Sequence, residues 1–499
     1  MGHNDIGYTS SDLASATPNL VGLAKEGVIL SRYYTQQSCT PARAAFLSGR
    51  YPANAGMGYD SRGSFVADSP YGLSLEYNIL PQYLRQYGYA TYITGKWNIG
   101  HYSEKMLPHM RGFDKFLTFQ TDEMHYYNHT IEPRIGTITT IAPIDLLMGA
   151  RGHGWSTART QANYSTFMFT SRAAEYIHEN GDSKPMFLYV AYQAVHVPHE
   201  TPPSTLYNDA DDSWKLSNVS GFHYRVKFGE TLVALDNALP DLIDALRTEG
   251  MFDRTFLVVA SDNGGCPSDG SNNYPLRGGK FDVFDGGVKV PSFVYSKLIP
   301  ENLWGTTLNH MFHVSDWLPT LVNVASMDLA TGKVSDDIVL PSDLDGVSQF
   351  ASLMEGSTAL EARQVTLIGL NKWTYNYTTG NLETMSFSAT SGAVIIGDWK
   401  FIKTQSPREV YEPETHDAEI CECGENNSSD TTDFLFKITE DPHEGSNLID
   451  EYPSIAKRML DTLHEYYLNA SESSWESPQE TRAIELWETI DFVVPWSQT

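Results

Sequence analysis

A chain of 499 residues, 41% hydrophobic and 19% charged, has ample material for a large core, and its length admits two to four domains. Its formal net charge of −28 repels nucleic acid and other long polyanions, so any anionic substrate has to be gathered by a local cluster of Lys, Arg, His or a metal. No apolar run reaches the ~18 residues of a membrane span. The opening "MGHNDIGYTS" reads as a loop, without the basic-then-apolar pattern of a signal segment.

In "TPNLVGLAKEGVILSRYY", Thr17 is placed as an N-cap, Pro18 at the first helical position and Gly27 past the helix end, with a strand from Val28. "QQSCTPARAAFLSGRYP" follows. Pro41 suits a first helical turn, the run from Arg43 to Leu47 favours helix, and Gly49 stops it. Cys39 therefore falls at a helix N-terminus, where free backbone N–H groups favour an anion. A thiol there is either a reactive group or a half-buried cap. "LPQYLRQYGYATYITGKWNIG" gives helix, Gly88 and a strand over 90–94, with Lys96 just beyond. "FMFTSRAAEYIHENGDSKPMFLYVAYQAVH" repeats the plan and ends at His196. "LVALDNALPDLIDALRTEGMFDRTFLVVASDNGG" does so again and ends at Asp262 and Asn263.

Helix–strand alternation with continuous apolar strands predicts an α/β fold: a mostly parallel or mixed central sheet flanked by helices. Ligands of such sheets gather beyond the C-terminal strand ends, where the polar residues just named fall. "HVSDWLPTLVNVAS" (313–326) is a further helix, and 327–365 is loop-rich. "AVIIGDWKFIKT" (393–404) and "DFLFKITE" (433–440) read as one strand each, and "SIAKRMLDTLHEYYLNA" as a helix. The expected division is a catalytic α/β domain over 1–365 and a smaller α+β subdomain over 366–499.

Cys39, Cys266, Cys421 and Cys423 are too few for a disulfide scaffold, and "CEC" lacks a zinc-ribbon partner pair. Asn-x-Ser/Thr acceptors at Asn128, Asn163, Asn218, Asn376, Asn426, Asn427 and Asn469 tilt the chain toward a secretory route. Lys96 and Lys280, the latter in "NNYPLRGGKFDVFDGG", are each ordinary surface lysines when taken singly. His196 and the weaker His199 are ordinary turn histidines, and "SDNGG" is good turn chemistry. The other meaning of "SDNGG" is a pair of oxygen ligands for a hard cation. Their joint placement at strand ends points to a single anion site.

"CTPARAAFLSGR" resembles the sulfatase signature, Cys-x-Pro-x-Arg with a Gly-Arg close. The likeness runs nearly end to end through "PNLVGLAKEGV", "GKWNIG", "RGFDKF", "SDNGG", "PLRGGK", "DGGVKV", "HVSDWLPTLVN", "LDGVS" and "LFKITEDPHEGSNL". The chain is similar to type I sulfatases, above all those of the arylsulfatase B-like (N-acetylgalactosamine-4-sulfatase-like) group. That resemblance implies an alkaline-phosphatase-like fold and hydrolysis of aryl or carbohydrate sulfate esters to alcohol and sulfate. It implies conversion of Cys39 to formylglycine by a formylglycine-generating enzyme, with Arg43 holding the hydrated aldehyde. Lys96, His196 and Lys280 would bind sulfate oxygens, His196 also protonating the leaving oxygen. Asp262, Asn263 and modified Cys39 would ligate a metal, calcium or else magnesium. A lysosomal or extracellular location through the secretory pathway goes with it.

Two departures stand out. The family carries an Asp-Asp pair at the end of its first strand, and "MGHNDIGY" resumes just after that pair, so a longer natural chain with a signal peptide is expected. Asn98 stands where the family usually has a His that deprotonates the hydrate, and an amide cannot take that proton. His101 is the nearby alternative. These departures keep open a non-catalytic homologue that binds sulfated ligands. A phosphodiesterase of the same superfamily is a further reading, which the Cys-x-Pro-x-Arg motif disfavours.

Overall fold

The structure is a computed structural model that describes residues 1–57, 70–131, 142–159, 163–203, 216, 219, 223–329, 331–335, 337, 339–376, 381–412, 431–472 and 480–497. Asn218, Asn426, Asn427, Cys421 and Cys423 lie outside them. Helix α1 (Pro18–Lys25) begins at the expected proline and buries Leu20 and Ala24. Thr17, however, makes no capping bond: its Oγ1 accepts from Gly7 N at 2.8 Å. The cap comes from Asp236, whose carboxylate accepts from Asn19 N at 3.0 Å and Leu20 N at 2.8 Å. A charged acceptor from a packed helix serves the free N–H groups as well as a local hydroxyl does.

The strands that frame the site are, in chain order, β1 (Val28–Leu30), β2 (Ala90–Lys96), β3 (Lys115–Phe119), β4 (Leu147–Ala150), β5 (Gly154–Thr157), β6 (Met186–Ala191), β7 (Leu257–Ala260), β8 (Ser292–Tyr295) and β9 (Thr306–Leu308). They form two sheets, in the orders β5-β4-β3-β2-β6 and β9-β1-β8-β7. Both sheets are mixed. β2 runs parallel to β3 and β6, and β1 parallel to β9, while β3–β4, β4–β5, β1–β8 and β7–β8 are antiparallel. The long helices α2 (Cys39–Ser48), α3 (Ser165–Asn180), α4 (His223–Thr248) and α5 (Trp317–Ala325) flank them.

Strand β2 is buried along its whole length, as its apolar run demands. Gly95 (φ +97°) lets it lie against β6, because a Cβ there would sit 1.9 Å from Ala191 O. β6 and β7 read in sequence as equally interior, yet they are only half-buried along most of their length. The reason is topological. Each has one sheet neighbour among the described residues, and both line the same cavity of about 910 Å³. No described strand lies between them, which is where the two sheets would otherwise join.

A second unit is an antiparallel sheet of β10 (Val365–Ile368), β11 (Gly392–Ile396), β12 (Trp399–Gln405) and β13 (Thr432–Lys437), in that order. The segment 393–404, expected as one strand, is a hairpin folded at Gly397 (φ +58°) and Asp398. Gly-Asp is turn chemistry, and here it outweighs the apolar run. Alternate side chains separate cleanly. Val394, Phe401 and Leu435 face Met459 and Leu463 of α6 (Pro453–Asn469). Ile395, Ile402, Phe434 and Phe436 pack against Phe284, Val288 and Met311 of the larger unit. Helix α7 (Glu480–Ile490) and the residues after it return to the first sheet, where Trp487, Phe492 and Trp496 join the core around Trp97 and Phe116. No described helix is long and apolar enough to cross a membrane.

Candidate active site

Cys39 is the first residue of α2 and is 7% exposed. One turn on, Arg43 sends Nε and Nη2 to Asp262 Oδ2 at 3.1 and 2.8 Å, just past the end of β7. Its Nη1 donates to Lys96 O at 3.2 Å and to Tyr189 OH at 3.3 Å. Lys96 stands at the end of β2, and its Nζ is buried without a hydrogen-bond partner among the described residues. Beyond β6, His196 Nε2 lies 2.9 Å from Lys280 Nζ, and its Nδ1 lies 2.9 Å from Val197 O. An ammonium can only donate, so Nε2 is the acceptor and Nδ1 carries the proton. Arg43, Lys96, His196, Asp262, Asn263 and Lys280 all line the same cavity. Cys39 acts electrostatically on both Arg43 and Lys280.

The charges of these groups follow from their burial and neighbours. Burial lowers the pKa of His196, and Lys280 and Lys96 lower it further, so the ring rests neutral. Burial raises that of Asp262, but Arg43 and then Lys96 outweigh it and hold the carboxyl well below the usual range. For Lys280 burial works against the charge, and Cys39, Asp262 and Asp269 more than restore it.

The structure thus assembles Cys39, Arg43, Lys96, His196, Asp262, Asn263 and Lys280 from five separate segments. Asn98 (φ +57°) adjoins them, its Oδ1 accepting from Thr40 Oγ1 at 2.8 Å in the first turn of α2. The two weaker histidine candidates are placed elsewhere. His101 packs edge-on against Trp496, and His199 Nε2 lies 2.7 Å from Asp269 O. Three site residues escaped sequence reasoning. Tyr189 holds Arg43, Thr35 Oγ1 donates to Asp262 O at 2.7 Å, and Glu123 lies 3.8 Å from His196 Nδ1. Tyr189 sits inside an apolar strand and Glu123 in an irregular loop, and neither carried a local signal.

The expected cation finds part of a site. Asn263 Oδ1 is buried with no partner among the described residues, the state of an amide oxygen that waits for a cation. Asp262 is beside it in sequence, but Arg43 takes its Oδ2. Calcium takes roughly six to eight oxygen ligands. Among the described residues no group of three or more His, Cys, Asp or Glu could hold a metal ion. The described donors fit one side of a cation site and do not complete it.

Comparisons with known proteins identify the family. The family model described as Sulfatase matches residues 1–327. Arylsulfatase J of Mus musculus is 31% identical over 484 residues, covering 93% of this chain and 74% of that protein. Arylsulfatase A of Homo sapiens is 30% identical over 344 residues, covering 66% of this chain and 63% of that protein. Human N-acetylgalactosamine-6-sulfatase is 26% identical over 378 residues, covering 71% and 64%. Two solved structures share the fold at 22% identity. Ps i-CgsB in complex with a neocarrahexaose has a TM-score of 0.73 and covers 98% of this chain and 95% of that one. The PsFucS1 sulfatase from Pseudoalteromonas sp. has a TM-score of 0.68 and covers 92% and 86%. With a family model matched over 1–327 and that constellation at its strand ends, the chain belongs to the sulfatase family and is a sulfuric ester hydrolase.

Proposed function

We propose that the chain removes a terminal sulfate from a carbohydrate ester, with residue 39 as the nucleophile after conversion to formylglycine. The observation that carries this reading is Lys96: a buried ammonium without a partner is costly unless an anion completes it. Lys96 and Lys280 bind the sulfuryl oxygens, where charge spreads as the ester bond breaks. The aldehyde hydrate at residue 39 supplies one oxygen to attack sulfur and a second hydroxyl that lets sulfate leave, which divides one displacement into two easier ones. Arg43, fixed by Asp262 and Tyr189, holds residue 39 in line. Lys280 turns from His196 Nε2 to the bound sulfate, and the added negative charge raises the proton affinity of that nitrogen. His196 takes a proton from solvent at Nε2 and passes it to the leaving oxygen.

Several features support the finer assignments. The net charge of −28 favours a single terminal sulfate over a long polyanion. One relative is named for a sulfated amino sugar. Asp262 and Asn263 would contribute to a calcium or magnesium site. Cys266 is disulfide-bonded, which fits an oxidising compartment, and the acceptors Asn128, Asn163 and Asn469 are exposed. A secreted or lysosomal glycoprotein that meets a formylglycine-generating enzyme accounts for both. The test is expression through a secretory host with that enzyme present. Peptide mass spectrometry should find the aldehyde at residue 39, and an aryl or sugar sulfate should be hydrolysed. An unmodified thiol at full occupancy, with sulfate still bound, would overturn the role proposed for residue 39.

A further inference from the structure

The loop that carries Lys280 belongs to the larger unit by sequence and is fastened from both units: Lys280 N donates to Gly265 O at 2.9 Å and Phe281 N to Gln37 O at 2.7 Å, and the C-terminal unit adds a second set of bonds. Gly278 N donates to Glu409 O at 3.0 Å, and Arg277 Nε and Nη1 donate to Arg408 O and Glu444 O, each at 2.6 Å. After Lys280, Arg408 Nε donates to Asp282 Oδ1 at 2.6 Å, and the other oxygen of that carboxylate accepts from Gly279 N at 3.1 Å. Asp285 N donates to Glu444 Oε2 at 2.6 Å, while Lys400 Nζ stands 2.7 Å from both Asp285 Oδ1 and Glu444 Oε1. Arg408 and Asp282 have side chains only 9% and 6% exposed, so their ion pair is shielded from water.

The geometry points to Arg408 as a positioning residue for Lys280. Asp282 is the relay: one oxygen faces Arg408 and the other grips the amide immediately before Lys280. The turn between them needs such a grip. Gly278 (φ +76°) and Phe281 (φ +74°) both lie in the left-handed region, a conformation that non-glycine residues hold only when their surroundings enforce it. From that turn the Lys280 side chain has to reach His196 Nε2 and the sulfate. A displacement of the backbone by about 1 Å is enough to lower turnover on the order of 100-fold. The inference rests on the sulfate-binding role proposed for Lys280, and it makes the C-terminal unit part of the active site.

The test is a double-mutant cycle on the full chain, read by calorimetric binding of inorganic sulfate and by kcat and KM on an aryl sulfate. Arg408→Ala should weaken sulfate binding about tenfold in the native background and less than twofold when Lys280→Ala is already present. Arg408→Lys should restore most of the loss. Lys403→Ala, which removes contacts to Ser388 O and Thr390 O within the C-terminal unit, should leave sulfate binding unchanged. If Arg408→Ala does not fold, Asp282→Asn breaks the same relay and enters the same cycle. Equal losses with and without Lys280, or an unchanged sulfate affinity in folded Arg408→Ala, would overturn the positioning role. A native protein that binds no sulfate would instead overturn the reading of the site itself.

Discussion

On its anion side the pocket offers Lys96, Lys280, Arg43 and the neutral ring of His196. On its cation side it offers Asp262, already engaged by Arg43, and the oxygen of Asn263, which has no partner among the described residues. Both sides sit at strand ends of the same cavity, but they depend on different parts of the fold. The anion side is anchored chiefly by β2, α2 and the Lys280 loop, which are firmly paired or packed, and only His196 follows β6, which has one sheet neighbour among the described residues. The cation side hangs from β7, whose second edge faces the cavity. Sulfate binding should therefore be the sturdier property of this chain and turnover the more fragile one.

The largest effect comes from residue 39. Cys39→Ala removes the nucleophile, so turnover should fall below detection while calorimetric sulfate binding stays within about threefold of native. A loss of both would mean that residue 39 also builds the anion side. Next in size is Lys96→Met, which should weaken sulfate binding on the order of 100-fold. It should also raise the melting temperature, because it removes a buried ammonium that has no hydrogen-bond partner among the described residues. A lowered melting temperature would show that Lys96 is paired in solution and would remove the main support for the sulfate reading.

Much of this comparison was legible in the sequence, and the illegible parts share a cause. Cys39, Lys96, His196 and Asp262 follow strands or open a helix whose local signals are strong, so their convergence could be argued from topology alone. Pairing across the sheet could not. β6 and β7 are apolar enough to read as interior, and nothing in either run says that each pairs on only one side among the described residues. Tyr189, Thr35 and Asp236 act over long sequence separations, and Asp236 took over the cap assigned to Thr17. The hairpin at Gly397 was missed because flanking apolar residues masked a turn only two residues long.

A third prediction probes the cation side. Asp262 has a pKa lowered chiefly by Arg43 against the effect of burial. A depressed carboxyl contributes stability above the usual carboxylate range and loses it progressively as pH falls from that range to the lowered value. Asp262→Asn should therefore cost about 3 kcal/mol at neutral pH, because Arg43 keeps its bonds to Lys96 O and Tyr189 OH but loses its counter-charge. The difference from the native protein should begin to narrow as pH falls through about 4 and should close only below the lowered value, as followed by urea unfolding across pH. Added calcium should raise the native melting temperature slightly, and that of Asp262→Asn not at all. A large calcium effect in native protein would mean that further ligands join Asp262 and Asn263.

The smallest expected effect separates Asn98 from His101. Asn98 Oδ1 holds Thr40, and its Nδ2 is buried without a partner among the described residues, so the amide positions α2 and moves no proton. A His at this place can still accept from Thr40 through one ring nitrogen and present the other toward residue 39. His also tolerates a positive φ better than most residues do. General-base help is worth ~10²–10⁴ where proton transfer limits the rate. Here Asn98→His should raise steady turnover by only about tenfold, because binding and the His196 proton transfer remain as they were. His101→Ala should leave the rate and its pH profile unchanged, since that ring packs on Trp496 in the core. A pH-dependent loss in His101→Ala, with no gain in Asn98→His, would assign the proton transfer to His101 and make Asn98 a structural partner of Thr40 alone.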